Sequence, residues 1–474
     1  MSLALALDLG TTSISAVAVS RDGRVVARLN RPNPAHRTGL AAGRAEQDPA
    51  VLRSAAFGIL RELAAAAPGN PMCLGITGQM HGGLLVDRQR RPLTPLITWQ
   101  DRRATEPFSG DPSRSILEEF RARCAPSDVA RTGCTPSPGY LAVTLFALQT
   151  MGTFPCGTHR ATLIADWIAA ELADVDPVID RTNAASTGVY DLAAGEWSSP
   201  ILGAAGLNRD WFPEVRRSGS PIGVVSPEVA AETGLPAGLP VANAIGDNQA
   251  AVLGSVPAGE TAYQINVGTG GQINWSIPAF RRVDGMDTRP LPQDRFMLVG
   301  AGLAGGDAYA WVRRAVQSWL AAFGHDASGD DVYETLNRLA GAAPDDCDGL
   351  TCEPVFRGTR RQPTLRGSFR GVTNENFTPG NVARAVLKGI AGGMKWFADH
   401  AGDARPASMA RIIGSGNGLR KNPLLVRVLS DTFRLPVVLS EHEEEAAVGT
   451  ALLAGTEVGF WPDLMTAGRM IRLR

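Results

Sequence analysis

The sequence predicts an α/β protein that consists of two related halves. Strand-like and helix-like segments alternate along its 474 residues, a pattern typical of α/β folds. One unit also occurs twice. An apolar strand, a turn of Gly and Thr, and a second strand lie within residues 3–19 and again within residues 262–275. Two copies of one unit, separated by half of the chain, indicate a duplicated fold.

The first half opens with a β-meander and continues with helices. Residues 3–8 and 14–19 are strand-like on either side of the turn at residues 10–11, and a hairpin turn follows at residues 22–23. The helix-like patterns of this half lie at residues 48–67, 115–125, 141–149 and 161–173.

The second half repeats this opening. Residues 262–267 and 273–275 are strand-like around a second Gly/Thr turn. The helix-like patterns that follow lie at residues 306–323, 330–339, 379–400 and 422–433. The Pro/Gly-rich stretch at residues 235–240 is the best candidate for the boundary between the halves. We therefore predict an N-terminal lobe of residues 1–242 and a C-terminal lobe of residues 243–474.

The composition argues against nucleic-acid and membrane partners. A net charge of -1 gives no basic face for a nucleic acid. No segment approaches the roughly 18 uninterrupted apolar residues of a membrane span, and the N-terminus lacks the basic region of a signal peptide. The six cysteines show no zinc-ligand spacing. We expect a cytoplasmic protein with small-molecule partners, and the sequence leaves a homodimer open.

The first Gly/Thr turn is a candidate phosphate loop. Gly10 allows close backbone approach, and the hydroxyls and amides of Thr11 and Thr12 can bind phosphate oxygens. Asp8 stands at the end of the preceding strand and can hold Mg²⁺ through water. An ordinary hairpin with an Asp turn remains the alternative.

The second turn offers the amides of Gly268 and Thr269 without side-chain obstruction. The sequence contains neither a Walker A motif nor a Rossmann glycine pattern, so a nucleotide site here must use two facing hairpins. A further Gly-rich turn holds Gly414, Gly416 and Asn417 and can accommodate adenine or ribose, although a simple loop explains it equally well.

Asp247 and Asn248 stand where the apolar run at residues 241–245 gives way to a helix. An aspartate at such a junction can orient a substrate hydroxyl and accept its proton during in-line phosphoryl transfer. It can also cap the helix, and the two roles can coexist.

Two polar segments of the first half are candidates for binding hydroxyl groups. Gln79, Met80 and His81 lie in a loop bounded by glycines, and Gln and His can both donate and accept hydrogen bonds. Trp99 and Asp101 add an aromatic face and an acid. The alternatives are a structural histidine and a surface turn with local ion pairs.

Taken together and in this order, the motifs resemble the FGGY family of carbohydrate kinases, and the match runs essentially along the whole chain. The matching segments lie at residues 8–12, 78–82, 99–101, 246–249, 266–269, 302–306, 369–372 and 414–416. The resemblance implies two ribonuclease-H/actin-like domains with a central ATP/sugar cleft. It also implies that the N-terminal lobe binds sugar and that the C-terminal lobe binds ATP with Mg²⁺.

The resemblance further implies roles for single residues. Asp247 matches the catalytic base and, with Asp8, a position associated with the metal. The positions that match ATP-binding residues are Thr11, Thr12, Gly268, Thr269, Gly306, Gly414, Gly416 and Asn417. The positions that match substrate-binding residues are Gln79, Met80, His81, Trp99, Asp101, Asp247 and Asn248.

Residues 79–82, Gln-Met-His-Gly, look like the ketose branch of the family, whereas its glycerol kinases carry Arg and Glu there. Residues 98–101 and 183–186 look closer to members that phosphorylate sedoheptulose than to those that phosphorylate xylulose. We therefore expect ATP-dependent phosphorylation of the terminal primary hydroxyl of a ketose, with sedoheptulose first and xylulose or another sugar or polyol as the alternative.

The chain departs from the family pattern in two places. The helix at residue 141 lacks the usual Lys and Trp, and Lys388 replaces an acid or Gln. Both departures put sugar specificity in doubt more than reaction class. An actin- or Hsp70-like ATPase and a sugar-binding regulator without catalysis remain as alternatives from other classes.

Overall fold

Strands and helices alternate along the computed structural model, which describes residues 1–326, 331–356, 358 and 365–474. The strands are β1 (Ser2–Leu9), β2 (Ser13–Ser20), β3 (Val25–Pro32), β4 (Glu46–Gln47), β5 (Asn70–Gly78), β6 (Leu84–Val86), β7 (Leu96–Ile97), β8 (Pro107–Phe108), β9 (Asp111–Ser115), β10 (Arg160–Thr162), β11 (Val178–Asp180), β12 (Tyr190–Asp191), β13 (Glu196–Trp197), β14 (Glu214–Arg216), β15 (Pro221–Val224), β16 (Pro240–Ala242), β17 (Ile245–Gly246), β18 (Tyr263–Val267), β19 (Gly270–Ile277), β20 (Asp287–Leu291), β21 (Arg295–Ala304), β22 (Thr351–Glu353), β23 (Ser368–Arg370), β24 (Ile412–Ser415) and β25 (Val437–Leu439). The helices are α1 (Pro49–Ala66), α2 (Ile116–Arg123), α3 (Pro126–Arg131), α4 (Leu141–Thr150), α5 (Ile164–Ala173), α6 (Arg181–Ser186), α7 (Ser199–Ala205), α8 (Pro227–Thr233), α9 (Asp247–Ser255), α10 (Gly306–Ala322), α11 (Asp331–Ala342), α12 (Pro379–His400), α13 (Asn417–Arg420), α14 (Pro423–Phe433), α15 (Glu445–Glu457) and α16 (Leu464–Gly468).

Two sheets of matching design form the centres of two lobes. The first has the order β15-β16-β5-β1-β2-β3, with β17 also paired to β5, and the second has the order β20-β21-β19-β18-β24-β25. In each sheet an antiparallel hairpin, β1–β2 or β18–β19, adjoins a parallel neighbour, β5 or β24. The duplicated unit predicted from the sequence is therefore confirmed.

Most predicted helices occur within a few residues of their expected limits. Helix α1 begins after Asp48, whose carboxylate accepts hydrogen bonds from the amides of Ala50 and Val51. The helix predicted at residues 161–173 is wrong at its start, because residues 160–162 form β10 and pair with β6. Of the helix predicted at residues 330–339, Asp330 lies outside the described residues.

Helix α15, which covers one face of the first sheet, was not predicted from the sequence. Its residues Ala447, Val448 and Ala451 share an apolar core with Ala4 and Val17 of the meander. The helix is buried on nearly all sides and therefore lacks the polar stripe that marks a surface helix. Residues near the C-terminus thus complete the core of the N-terminal half.

Helices α9 and α15 cross with their backbones in contact at two glycines. A Cβ atom on Gly254 would lie 1.8 Å from the Glu445 carbonyl oxygen, and one on Gly449 would lie 2.0 Å from the Ala250 carbonyl oxygen. No side chain fits at either position. At this crossing α9, which follows the last strand of the first sheet, meets α15, which packs against a face of the same sheet.

The predicted boundary stretch at residues 235–240 does not end the first sheet, because β16 and β17 after it still pair with β5. The lobe limits of 1–242 and 243–474 stay a prediction. In the part of the chain that the structure describes, no helix has the length and apolar character needed to cross a membrane.

Candidate active site

Two carboxylates lie at one edge of the first sheet. Strand β5 has β1 and β17 as parallel neighbours, and Thr77 of β5 pairs with both Asp8 and Ile245. The Thr77 hydroxyl also donates a 2.7 Å hydrogen bond to the Ile245 carbonyl. Because the carboxyl ends of parallel strands share one edge, Asp8 and Asp247 face the same space.

Asp247 is the first residue of α9, and its carboxylate accepts a hydrogen bond from the backbone amide of Asn248. Gly246 holds the capping position instead. Asp247 therefore does not hold the N-cap position that the sequence allowed for it. Burial raises the pKa of Asp247 to about 6.

Asp8 is suited to a cation. Burial raises its pKa to about 8, and the nearby carboxylates of Asp247 and Glu444 add to the shift. Its Oδ1 atom is buried and has no hydrogen-bond partner among the described residues. A buried oxygen without a partner is costly unless a ligand satisfies it, and a water of hydrated Mg²⁺ would do so.

The structure describes no group of three or more His, Cys, Asp or Glu side chains that could hold a metal ion within residues 1–326, 331–356, 358 and 365–474. Mg²⁺ often takes only one or two carboxylates and completes its shell with water and substrate phosphate. The pair of Asp8 and Asp247 fits that mode.

The first candidate phosphate loop is tied to the sugar-binding candidates through Thr11. Its hydroxyl donates to Gln79 Oε1 at 3.2 Å and accepts from Trp99 Nε1 at 3.0 Å. Its carbonyl accepts from Gln47 Nε2 at 3.0 Å and lies 2.8 Å from His36 Nε2. Thr12, by contrast, is exposed at the tip. The amides of the turn and the Thr12 hydroxyl are the groups left to meet a phosphate.

The second candidate phosphate loop lies against the start of α10. The Gly306 amide donates to the Gly268 carbonyl at 2.8 Å, and a Cβ atom on Gly306 would lie 2.7 Å from that oxygen. A groove of about 170 Å³ beside the loop is lined by Thr269, Gly270 and Gly305, among others. A helix N-terminus next to such a groove favours an anion.

The adenosine candidates reach the same loop from β24. Gly416 has φ +85°, and a Cβ atom there would lie 2.6 Å from the Val267 carbonyl, so only glycine fits. Asn417 follows it and is exposed. Gly414 is buried within β24 between Leu419 and Leu439. The turn thus meets the second loop at Gly416, while Gly414 packs inside the lobe.

The predicted sugar-binding residues differ in exposure. Gln79, Met80 and Asp101 are buried, and Asp101 accepts hydrogen bonds from the Ala45 amide and the Arg103 guanidinium. Trp99 is 41% exposed. The substrate-binding role predicted for all four residues stays a prediction.

His81 is held in an unusual backbone conformation. It has φ 73°, and its Nδ1 lies 2.9 Å from the Ser186 carbonyl. A carbonyl can only accept, so Nδ1 carries the proton and Nε2 of the neutral ring is an acceptor. The ring stacks on Tyr140 with centroids 4.3 Å apart and planes at 9°. Its orientation is fixed from two sides.

Asn248 belongs to a network of side-chain amides that joins the start of α9 to strand β19. Its Oδ1 accepts from Gln272 Nε2 at 2.6 Å and from Asn274 Nδ2 at 3.1 Å. Sequence reasoning missed Gln272, Tyr140, Gln47 and Glu444. The only signal for Gln272 was its place just after the second Gly/Thr turn.

Comparison with known proteins identifies the family of the chain. The model of the FGGY family of carbohydrate kinases, N-terminal domain, matches residues 3–254, and that of the C-terminal domain matches residues 265–458. The chain belongs to the FGGY family of carbohydrate kinases. It is therefore a phosphotransferase with a two-domain α/β fold of the actin-like kind, and the alternative of a filament or chaperone ATPase is excluded.

Named relatives differ in substrate. The chain is 28% identical to a glycerol kinase of Thermus brockianus, over 97% of this chain and 90% of the relative. It is 26% identical to the sedoheptulokinase of Homo sapiens, over 95% of this chain and 97% of the relative. The crystal structure of a xylulose kinase from Rhodospirillum rubrum matches with a TM-score of 0.87 and 25% identity, over 100% of this chain and 93% of that one.

Proposed function

We propose that this kinase transfers the γ-phosphoryl group of ATP to the terminal primary hydroxyl of a ketose, with sedoheptulose as the first candidate and xylulose as the second. The observation that carries the proposal is that one short helix, α6, contacts both the candidate sugar-binding residue His81 and Gly246, the residue that precedes Asp247. Its Thr182 hydroxyl accepts the Gly246 amide at 2.8 Å, and its Ser186 carbonyl holds His81. A hydroxyl bound at His81 would therefore lie near Asp247.

Asp247 acts as the base that accepts the proton of the sugar hydroxyl. A carboxyl with a pKa of about 6 is mostly ionised at pH 7 and is a stronger base than an ordinary aspartate. Proton transfer is late in a loose transition state, so positioning and charge stabilisation supply most of the rate.

Asp8 would hold Mg²⁺ through its unpartnered Oδ1, with Asp247 close by. Bound Mg²⁺ neutralises charge that develops on the phosphoryl oxygens. On the other side of the cleft, Gly268, Thr269 and Gly306 would line the phosphate site, where the Thr269 amide would donate to a phosphate oxygen, and Gly416 with Asn417 would contact the adenosine.

The choice of a ketose rests on the loop at residues 79–82. This loop, Gln-Met-His-Gly, stands where glycerol kinases carry a tetrapeptide that contains Arg and Glu. Because His81 Nδ1 donates to the Ser186 carbonyl, Nε2 is the ring nitrogen that would meet a sugar hydroxyl. The similarity to a sedoheptulokinase supports the first candidate. The comparable similarity to glycerol kinases makes glycerol the polyol to be tested against it.

A coupled ADP-release assay with sedoheptulose, xylulose, ribulose, fructose and glycerol tests the proposal, with the Asp247→Asn variant as the blank for background hydrolysis. We expect the highest kcat/KM with a ketose. A higher value with glycerol would overturn the ketose assignment. ATP turnover that no sugar stimulates, or sugar binding without turnover, would overturn the proposed reaction. The homodimer stays a prediction that the mass in solution decides.

A further inference from the structure

A buried arginine from the second sheet lies behind the candidate sugar site. Arg289 belongs to β20 and is 4% exposed. Its Nη1 donates to the Ala185 carbonyl at 3.1 Å, and its Nη2 donates to the Tyr140 hydroxyl at 3.0 Å and to the Asp287 carboxylate at 2.9 Å. Two of its three partners therefore belong to the first half of the chain.

Both of these partners support His81. The Tyr140 ring stacks on the His81 ring, and Tyr140 is itself only 2% exposed. Ala185 directly precedes Ser186, whose carbonyl lies 2.9 Å from His81 Nδ1. Arg289 thus contacts the ring beneath the histidine and the residue beside its hydrogen-bond acceptor.

The chemistry of arginine suits this task. Burying a guanidinium is costly, and its fixed planar fork requires partners in set directions. Removing Arg289 would remove one hydrogen-bond donor from the buried Tyr140 hydroxyl and one from the Ala185 carbonyl. An apolar side chain would fill the space at lower cost but would fix neither group.

Strand β20 is also anchored to the first half beside this point. The Thr288 amide donates to the Gly133 carbonyl at 2.7 Å. On its other side β20 pairs with β21, and β21 pairs with β19, which follows the second phosphate loop. The strand that carries Arg289 therefore belongs to the sheet that carries the candidate nucleotide site.

We propose that Arg289 is a positioning residue for sugar specificity. By holding Tyr140 and residues 185–186, it orients His81 so that Nε2 accepts a hydrogen bond from a sugar hydroxyl. The C-terminal half thereby supplies a residue on which the sugar site of the N-terminal half depends. This inference rests on the proposed function in that His81 contacts the sugar.

The test compares Arg289→Met with Arg384→Met. Arg384 is a matched control because it is also buried and also bonds one carbonyl and one carboxylate, those of Ala340 and Asp345, away from the sugar site. We expect Arg289→Met to raise the sugar KM and Kd at least about tenfold and the ATP KM less than about twofold. Arg289→Lys should give an intermediate sugar KM, since it keeps the charge but loses the fork.

Arg384→Met should lower Tm without changing the ratio of the two KM values. The inference is overturned if Arg289→Met leaves the sugar KM unchanged, or if both KM values rise together. Should the methionine variant not fold, the lysine variant carries the comparison by the same criteria.

A double-mutant cycle with Tyr140→Phe gives a second test. Tyr140→Phe alone should raise the sugar KM. In the Arg289→Met background it should raise the sugar KM by less than about a further twofold, because Arg289→Met has already removed the hydrogen bond to the Tyr140 hydroxyl. Fully multiplicative effects on the sugar KM would overturn the inference.

In all of these assays the phosphoryl acceptor is whichever of the five compounds named above the wild type phosphorylates fastest. A wrong ketose assignment therefore leaves this comparison intact, whereas a confirmed ketose with an unaffected Arg289→Met variant rejects only the role of Arg289.

Discussion

The indole Nε1 of Trp99 donates a 3.0 Å hydrogen bond to the hydroxyl of Thr11. The same hydroxyl donates to Gln79 Oε1, so its orientation is fixed by one donor and one acceptor. One oxygen atom therefore joins the first candidate phosphate loop to both segments that the sequence predicted to bind sugar.

Replacing Thr11 by Val should raise the KM values for sugar and for ATP together, each by about three- to thirtyfold, because it leaves Trp99 and Gln79 without their common partner. Steady-state kinetics with each substrate varied in turn measures this. Thr456→Val is the matched control, since the Thr456 hydroxyl bonds the Leu452 carbonyl within its own helix. An effect on one KM alone would show that Thr11 does not link the two sites.

Replacing Asp247 by Asn should reduce kcat by at least about a hundredfold, the typical contribution of a general base, and should leave ATP affinity within about threefold of the wild type. Single-turnover kinetics and calorimetric titration with ATP measure the two quantities. Asp403→Asn, in an exposed ion pair with Arg281, should change neither. Near-normal turnover of Asp247→Asn would reject the assignment of the base.

The rate should fall in mildly acidic solution. Because burial raises the pKa of Asp247 to about 6, its basic form is lost as the pH falls through that value. We expect kcat/KM to decrease about tenfold per pH unit below pH 6. A pH series from 5 to 8 at constant ionic strength tests this, with the stability of the enzyme checked at each pH. A midpoint near 4 would indicate that the carboxylate is not buried in the free enzyme.

Replacing Asp8 by Asn should stabilise the metal-free protein while abolishing most turnover. Burial raises the pKa of Asp8 from its ordinary value of 3.8 to about 8, so the folded state binds the proton more tightly and loses stability as the pH rises from about 4 to 8. We expect the free energy of unfolding at pH 8 to increase by about 1 kcal/mol or more, and the gain to shrink towards pH 4.

Thermal and urea unfolding in EDTA at both pH values measures that gain. Asp403→Asn serves again as the control and should show no pH-dependent gain. An unchanged or lower stability of Asp8→Asn at pH 8 would contradict the assignment of Asp8 as a buried carboxylate whose Oδ1 has no partner among the described residues.

Replacing Gly449 by Ala should destabilise the protein by about 1–3 kcal/mol, because its Cβ would overlap the Ala250 carbonyl at the crossing of α9 and α15. Gly392→Ala is the matched control. Gly392 lies in α12, and a Cβ there would meet nothing within 4 Å, so alanine should add up to about 1 kcal/mol. Equal effects in chemical denaturation would show that the crossing tolerates separation of the helices.

The sequence indicated the fold class and the two acids for a clear physical reason. Asp8 is the last residue but one of β1, Asp247 directly follows β17, and parallel strands bring such positions to one edge. Helix α15 escaped prediction because a helix buried on nearly all sides has no amphipathic period.

The supports of His81 could not be predicted, because they come from distant parts of the chain. Tyr140 and Ser186 meet the histidine only once the first half has folded, and Arg289 contacts Tyr140 and Ala185 only after the two halves have packed together. Each is also an ordinary residue in its own local sequence. Local patterns report which atoms can do chemistry, whereas the contacts that orient those atoms depend on the tertiary structure.

The packing of residues 445–471 on the first sheet also has a consequence for biosynthesis. While the ribosome is still translating the second half, the sheet face that carries Ala4, Ala6 and Val17 has no cover. That apolar surface of the N-terminal half stays exposed until residues 447–471 have been synthesised. Synthesis speed and chaperone supply should therefore affect the yield of this enzyme more than they would for a chain whose halves mature one after the other.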